Sequence, residues 1–179
     1  MIRLFDLLFS IIGLVLLFPL IIMLWIIGLI TNGSPIFLQY RVGYKQKLFL
    51  LIKFRTMKIN TKSAPTHLVD SSKITPFGNF LRKNKFDEIP QLINVFLGDM
   101  SLVGPRPSLS NQTKLINERK KRGIFNVKPG ITGLAQISKI DMRKPLLLAK
   151  TDFQMIKKMN LYYYFYYIIM TLIILIKKD

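Results

Sequence analysis

Cysteine is absent from the 179 residues, histidine occurs once, as His67, and only nine residues are acidic. The missing cysteines exclude disulfide stapling and thiolate-ligated zinc or iron–sulfur sites, and a lone histidine excludes a histidine-based metal cluster. Any metal used by this chain is therefore oxygen-ligated and of the Mg²⁺ kind. The shortage of acid is uneven. Residues 1–35 carry only Arg3 and Asp6, so the whole net charge of +18 falls on residues 36–179. Such a surplus calls for an anionic partner, either nucleic acid or an anionic membrane together with a phosphorylated substrate. The strongly apolar N-terminal segment favours the second.

Charge is also missing from Leu7 to Ile30, a run of 24 residues. At about 1.5 Å per residue that is enough to cross a hydrocarbon core of about 30 Å, so length alone predicts a spanning helix. The run exceeds the core of a secretory signal, and no A-x-A-like cleavage site follows it. Pro19 sits near its centre. There the lost donor and the clash of the ring with the preceding turn predict a kink, and a sharp kink returns the chain to the side it entered from. Arg41, Lys45 and Lys47 put the C-terminal side on the cytoplasmic face, while Arg3 alone leaves the N-terminus undetermined.

Beyond Gly33-Ser34-Pro35 the pattern changes to short β-like stretches, Ile36–Tyr40 and Leu48–Ile52, which predict a hairpin turning near Gly43. Residues 60–76 read as a polar loop and 77–86 as a short basic helix. In Ile89–Leu97 the apolar residues Ile89, Leu92, Ile93, Phe96 and Leu97 recur at helical spacing, with Pro90 in the first turn and Gly98 just past the end. This predicts a helix that buries that apolar stripe. Segments 111–122 and 145–158 read as charged helices with solvated or membrane-facing surfaces. Leu161–Ile176 is uncharged for 16 residues. Roughly 24 Å of helix is short for spanning, and its tyrosines favour a helix lying in the headgroup region.

Asp87-Glu88 is the one adjacent acidic pair, just before the Ile89–Leu97 helix, where free N–H groups and the dipole stabilise anions. It reads either as a helix cap or as a reactive pair. Arg82, Lys83 and Lys85 precede it, and Arg106 follows between Pro105 and Pro107. Two prolines stiffen the backbone that presents that guanidinium, which suits bidentate phosphate recognition. Lys128-Pro129-Gly130-Ile131-Thr132-Gly133 joins a cation to two glycines that permit close approach of backbone to a ligand.

Taken in order, Lys53-Phe54-Arg55-Thr56-Met57, Asp87-Glu88-Ile89-Pro90-Gln91-Leu92, Gly98-Asp99-Met100-Ser101 running through Gly104-Pro105-Arg106-Pro107, and Lys128 through Gln136 closely resemble the bacterial sugar transferases known as monotopic phosphoglycosyl transferases. The resemblance covers almost the whole chain. It implies transfer of a sugar 1-phosphate from a UDP-sugar to undecaprenyl phosphate, giving a lipid-diphosphate sugar and UMP, as the first step of a capsule, O-antigen, exopolysaccharide or glycoprotein glycan. It also implies Mg²⁺ held at Asp87 and Glu88, Asp87 as covalent nucleophile, and Lys53, Arg82, Arg106 and Lys128 as phosphate or substrate contacts. The N-terminal segment becomes a re-entrant helix-break-helix broken at Pro19, with Arg3 and Asp6 at matching positions. Asp152 and Thr171 also match, whereas Tyr164 stands in a slot that is often acidic. The expected architecture is α+β and mostly helical: a re-entrant segment over 1–35, a cytoplasmic catalytic part over 36–160 with no second catalytic domain, and an interfacial helix over 161–179, at a bacterial inner membrane rich in anionic lipids. Nucleic acid is not expected as a partner. The other reading is a basic membrane-bound protein that binds nucleic acid or anionic lipid without catalysis, which needs the charge and the anchor but no intact acid pair.

Overall fold

The computed structural model describes residues 1–59, 61 and 71–177, so most of the predicted 60–76 loop, with His67, lies outside the described residues. The fold is mixed α+β and mostly helical. The uncharged N-terminal run forms α1, Ile2–Leu16, and α2, Phe18–Asn32, bent by 62°. Pro19 lies in the first turn of α2, where its absent N–H and fixed φ are tolerated, so the break falls at Leu17. Among the described residues no single helix is long and apolar enough to cross a membrane, and the bent pair passes only when taken together.

The hairpin is formed by β1, Ile36–Val42, and β2, Leu48–Phe54, paired antiparallel from Ile36↔Phe54 to Val42↔Leu48. Each strand runs two residues beyond its predicted end. Helix α3, Pro76–Asn84, is capped by Thr75, whose hydroxyl accepts from Gly78 N–H at 2.9 Å. A turn at 86–88 leads into α4, Gln91–Leu97, which ends at Gly98 with φ 92°, a left-handed stop that glycine adopts freely. Short strands β3, Ser101–Val103, and β4, Gly130–Thr132, pair in parallel. The remaining helices are α5, Thr113–Lys121, α6, Leu134–Ile137, α7, Pro145–Lys158, and α8, Leu161–Ile176.

Two sequence expectations are corrected here. Helix α4 does not bury its apolar stripe: Gln91, Asn94 and Val95 are the buried residues, while Ile93, Phe96 and Leu97 are exposed. The polar side is inward because Asn94 replaces a strand at the free edge of β2, donating to Leu50 O at 2.8 Å and accepting from Ile52 N–H at 3.0 Å. Of the stripe, Leu92 reaches α1, where a Cβ on Gly13 would stand 3.0 Å from its Cδ1. Helices α5 and α7 are likewise not merely solvated surfaces. Arg119 and Asp152 are 2% and 1% exposed, and Arg119 Nε and Nη2 both donate to Asp152 Oδ2, at 3.0 and 2.7 Å. The pair shares only Asp152 Oδ2: Asp152 Oδ1 is buried without a hydrogen-bond partner, and Arg119 Nη1 donates to Arg106 O at 2.8 Å, outside the pair.

Helix α1 is tied to α4, β3 and α8 by its only two charges. Arg3 donates to Val95 O at 2.5 Å and Phe96 O at 2.8 Å, carbonyls in the last turn of α4 beyond the reach of the helix's own ladder. Asp6, 2% exposed, accepts on one oxygen from Ser101 Oγ, Leu102 N–H and Tyr164 O–H. Tyr164 thus serves a carboxylate supplied by α1. Tyr164→Phe removes one of those three donors inside the protein and is expected to lower the unfolding free energy by about 1–2 kcal/mol, read by denaturation in nanodiscs.

Candidate active site

Four segments bring charged groups to one place. The hairpin pairing Phe37↔Lys53, Gln39↔Leu51, Arg41↔Phe49 sets Lys53 and Arg41 on the same face. The turn Phe86–Glu88 carries Asp87 and Glu88, α4 adds Gln91, and the loop after β3 adds Arg106. Arg41, Lys53, Glu88, Gln91 and Arg106 line a polar cavity of about 40 Å³.

The Arg106 loop is stapled from several sides. Gly104 N–H donates to Thr132 O at 2.8 Å, Gly130 N–H to Pro105 O at 3.0 Å, Arg119 Nη1 to Arg106 O at 2.8 Å, and Arg41 Nη1 to Pro107 O at 3.2 Å. A Cβ on Gly130 would lie 2.0 Å from Gly104 N. The glycines of the 128–133 string therefore serve backbone-to-backbone packing under this loop, while Gly130 also lines the polar cavity. The two prolines alone do not aim Arg106; the buried Arg119–Asp152 pair holds its carbonyl from behind.

Arg106 Nη2 donates to Glu88 Oε1 at 2.5 Å, with the Glu88 side chain 13% exposed and that of Arg106 43%. Burial pushes the Glu88 carboxyl up, but the charge and hydrogen bond of Arg106, with Lys85 and Lys53, hold it below the usual range. Asp87 differs. Burial, then the Glu88 charge, push its carboxyl up against Lys53, Lys85 and Arg106, and its buried Oδ1 has no hydrogen-bond partner. Asp87 lies just before α4, as expected, but in a 3-10 turn; of its two readings, helix cap and reactive pair, the cap fails, since no side chain caps either element.

The cations repel one another. Lys53 is lowered to about 8, by burial and then by Arg41, and Arg41 to about 10, by burial and then by Arg106. Arg82, which donates to Thr56 Oγ1 at 2.8 Å, is lowered by burial against the pull of Asp87. A bound diphosphate would relieve this repulsion. The structure thus gathers Lys53, Arg82 and Arg106 about the acid pair and adds Arg41 and Gln91, which sequence reasoning did not select. Strand alternation was the available signal for Arg41, since a hairpin in this register puts it on the face of Lys53. Lys128 is not brought there: its ammonium lies beside Gly98, at the far end of α4, next to Arg3.

Among the described residues no three His, Cys, Asp or Glu side chains form a metal cluster. Mg²⁺ asks for less, one or two carboxylates with the rest of its shell from water and substrate phosphate. The unpartnered Oδ1 of Asp87 beside Glu88 fits that demand.

Comparison with known proteins gives the family. The family profile described as bacterial sugar transferase matches residues 1–178. The chain is 49% identical over 107 residues to the uncharacterized sugar transferase EpsL of Bacillus subtilis, covering 59% of this chain and 52% of that one. It is 37% identical over 153 residues to the undecaprenyl-phosphate galactose phosphotransferase of Salmonella typhimurium, covering 76% and 32%. It is also 37% identical over 141 residues to the UDP-glucose:undecaprenyl-phosphate glucose-1-phosphate transferase of Xanthomonas campestris pv. campestris, covering 74% and 29%. The chain thus spans about half of the first relative's length and about a third of the other two. With the profile matched across nearly every residue, the chain belongs to the bacterial sugar transferase family.

Proposed function

We propose that this protein transfers a sugar 1-phosphate from a UDP-sugar to undecaprenyl phosphate, releasing UMP, and so begins assembly of a surface glycan at the cytoplasmic face of a bacterial membrane. One observation carries the reading: a carboxylate with an unpartnered buried oxygen, Asp87, lies within a ring of cations that lacks enough anions to neutralise it. The named activities of the Salmonella and Xanthomonas relatives support it. Arg41, Lys53 and Arg106 share one cavity with Glu88, an arrangement that the nucleic-acid alternative does not require.

In this reading Asp87 attacks the β-phosphorus of the donor. An oxygen–phosphorus bond forms to the carboxylate and the bond to the bridging oxygen breaks, so that UMP leaves with that oxygen. A phosphate oxygen of the polyprenyl acceptor then attacks the same phosphorus and Asp87 departs as a carboxylate. No net proton is needed. Lys53, Arg41 and Arg106 stabilise the charge that spreads over the phosphoryl oxygens, from positions fixed before reaction. Glu88 keeps Arg106 in place. Mg²⁺, held by Asp87 and Glu88, would supply charge neutralisation between carboxylate and diphosphate.

Purified protein in nanodiscs with undecaprenyl phosphate, Mg²⁺ and a panel of UDP-sugars should release UMP with one or a few of them. Absence of release with every sugar by folded protein would refute the reading.

The bent α1–α2 pair supports a re-entrant segment, entering and leaving on one side. With no native cysteine to interfere, Ile2→Cys and Lys45→Cys are both expected to resist membrane-impermeant maleimide in intact cells. Labelling of the first from outside would establish a spanning helix. The depressed Lys53 gives a pH prediction. Its ammonium loses charge as pH rises through about 8, so donor affinity, measured by UMP or UDP-sugar binding, should weaken above that pH. Lys53→Arg, charged well beyond it, should flatten that limb.

A further inference from the structure

Two cavities of opposite character meet at the Glu88–Arg106 pair. The first is the polar one, with Arg41 and Lys53. The second, of about 270 Å³, also touches Glu88 and Arg106, adds Lys85, and is otherwise walled mainly by apolar side chains, among them Leu92, Ile131, Ile137 and Ile174. Its walls come from α4, β4, α6 and α8, and the Thr132–Thr171 hydroxyl bond fastens α8 to β4 along it.

Building on the function proposed above, we infer that this second cavity is the groove for the phosphate-proximal isoprenyl units of the acceptor, so that donor and acceptor reach Asp87 from opposite sides of the Glu88–Arg106 pair. Charge fixes the polarity of the occupant. The inner end offers Arg106 and Lys85 to a phosphate, while the wall leading away from them is hydrocarbon, an arrangement that suits a lipid phosphate and leaves a nucleotide's ribose and base without partners. Continuity fixes the direction of entry. Ile174 and Leu175 line the groove, and on the same helix Ile173 and Ile176 are exposed. Leu92 joins the groove to α1, whose Leu8, Ile12 and Leu16 are exposed as well. A chain leaving the groove thus continues along apolar surface, as a membrane-dissolved polyprenol requires.

The test fills the groove. Ile174→Trp, at the α8 wall, and Ile131→Trp, at the β4 wall, are compared in nanodiscs with Leu172→Trp, on an exposed face of α8 outside the groove. Acceptors are undecaprenyl phosphate and the ten-carbon citronellyl phosphate, and binding of each is also read directly by native mass spectrometry. Both groove variants should raise KM and the dissociation constant for either acceptor by about tenfold, with KM for the UDP-sugar changing less than about twofold and Leu172→Trp resembling wild type. Loss confined to the long acceptor would show that α8 acts only in membrane docking, and would overturn the groove. A parallel rise in the UDP-sugar KM would assign the cavity to the donor instead, and unchanged acceptor binding in both folded variants would assign it to neither. If wild type released no UMP from any UDP-sugar, the functional reading would fall, while the binding data would still decide the groove.

Discussion

Asp87→Asn is expected to fold normally and to lose turnover by about 10³-fold or more, the scale seen when a nucleophile is removed and binding is left intact. The substitution keeps size and shape at a half-buried position whose Oδ1 has no partner to lose. It removes the negative charge, and with it both the attacking lone pair and half of the proposed Mg²⁺ site. Stability should hold or rise slightly, since burial and Glu88 both work against charge at this carboxyl. A thermal melt equal to or above wild type, together with lost UMP release, is the expected pair of results. Near-normal turnover would mean direct transfer between the two substrates.

Arg106→Ala is expected to lower kcat/KM by about 10²-fold or more, in the range for removing a pre-placed donor from a developing anion. Lys120→Ala should stay within about twofold, because that side chain is exposed at the end of α5, away from both cavities. The contrast arises from placement. Arg106 pairs with Glu88, borders both cavities, and has its backbone held by Arg119, whereas Lys120, the next residue along, holds nothing in the site. Removing Arg106 also leaves Glu88 without the group that holds its carboxyl down, so the acid limb of the pH–rate profile should move to higher pH. Arg106→Lys restores charge without the fork and should recover only part of the loss. Equal activity of the two alanine variants would remove Arg106 from the site.

Local signals made the element order and much of the site legible. Alternation marked the hairpin, proline and glycine marked the ends of α4, and the uncharged run of Leu161–Ile176 coincided with α8. Asp87, Glu88, Lys53, Arg82 and Arg106 were selected by residue type and order, and the fold brings them together. What failed depended on which side of an element meets protein. The apolar stripe of α4 reads as buried under the rule for soluble helices, yet here the stripe lies toward α1 and the exposed surface while Asn94 turns inward to serve a strand edge. The same inversion misjudged Arg119 and Asp152, charged residues whose partner lies 33 positions away and leaves no periodic trace. Lys128 was placed by proximity to a glycine string, but the string's glycines answer to Gly104 and carry the lysine to the other end of α4.

Covalent capture tests the central claim most directly. Protein is incubated with Mg²⁺ and a UDP-sugar labelled in the sugar, without lipid acceptor, then quenched and digested. Label should appear on the peptide containing Asp87 together with a matching amount of UMP, and should leave on addition of undecaprenyl phosphate. Label on a peptide lacking residue 87, or UMP released only when both substrates are present, would contradict the nucleophile assignment.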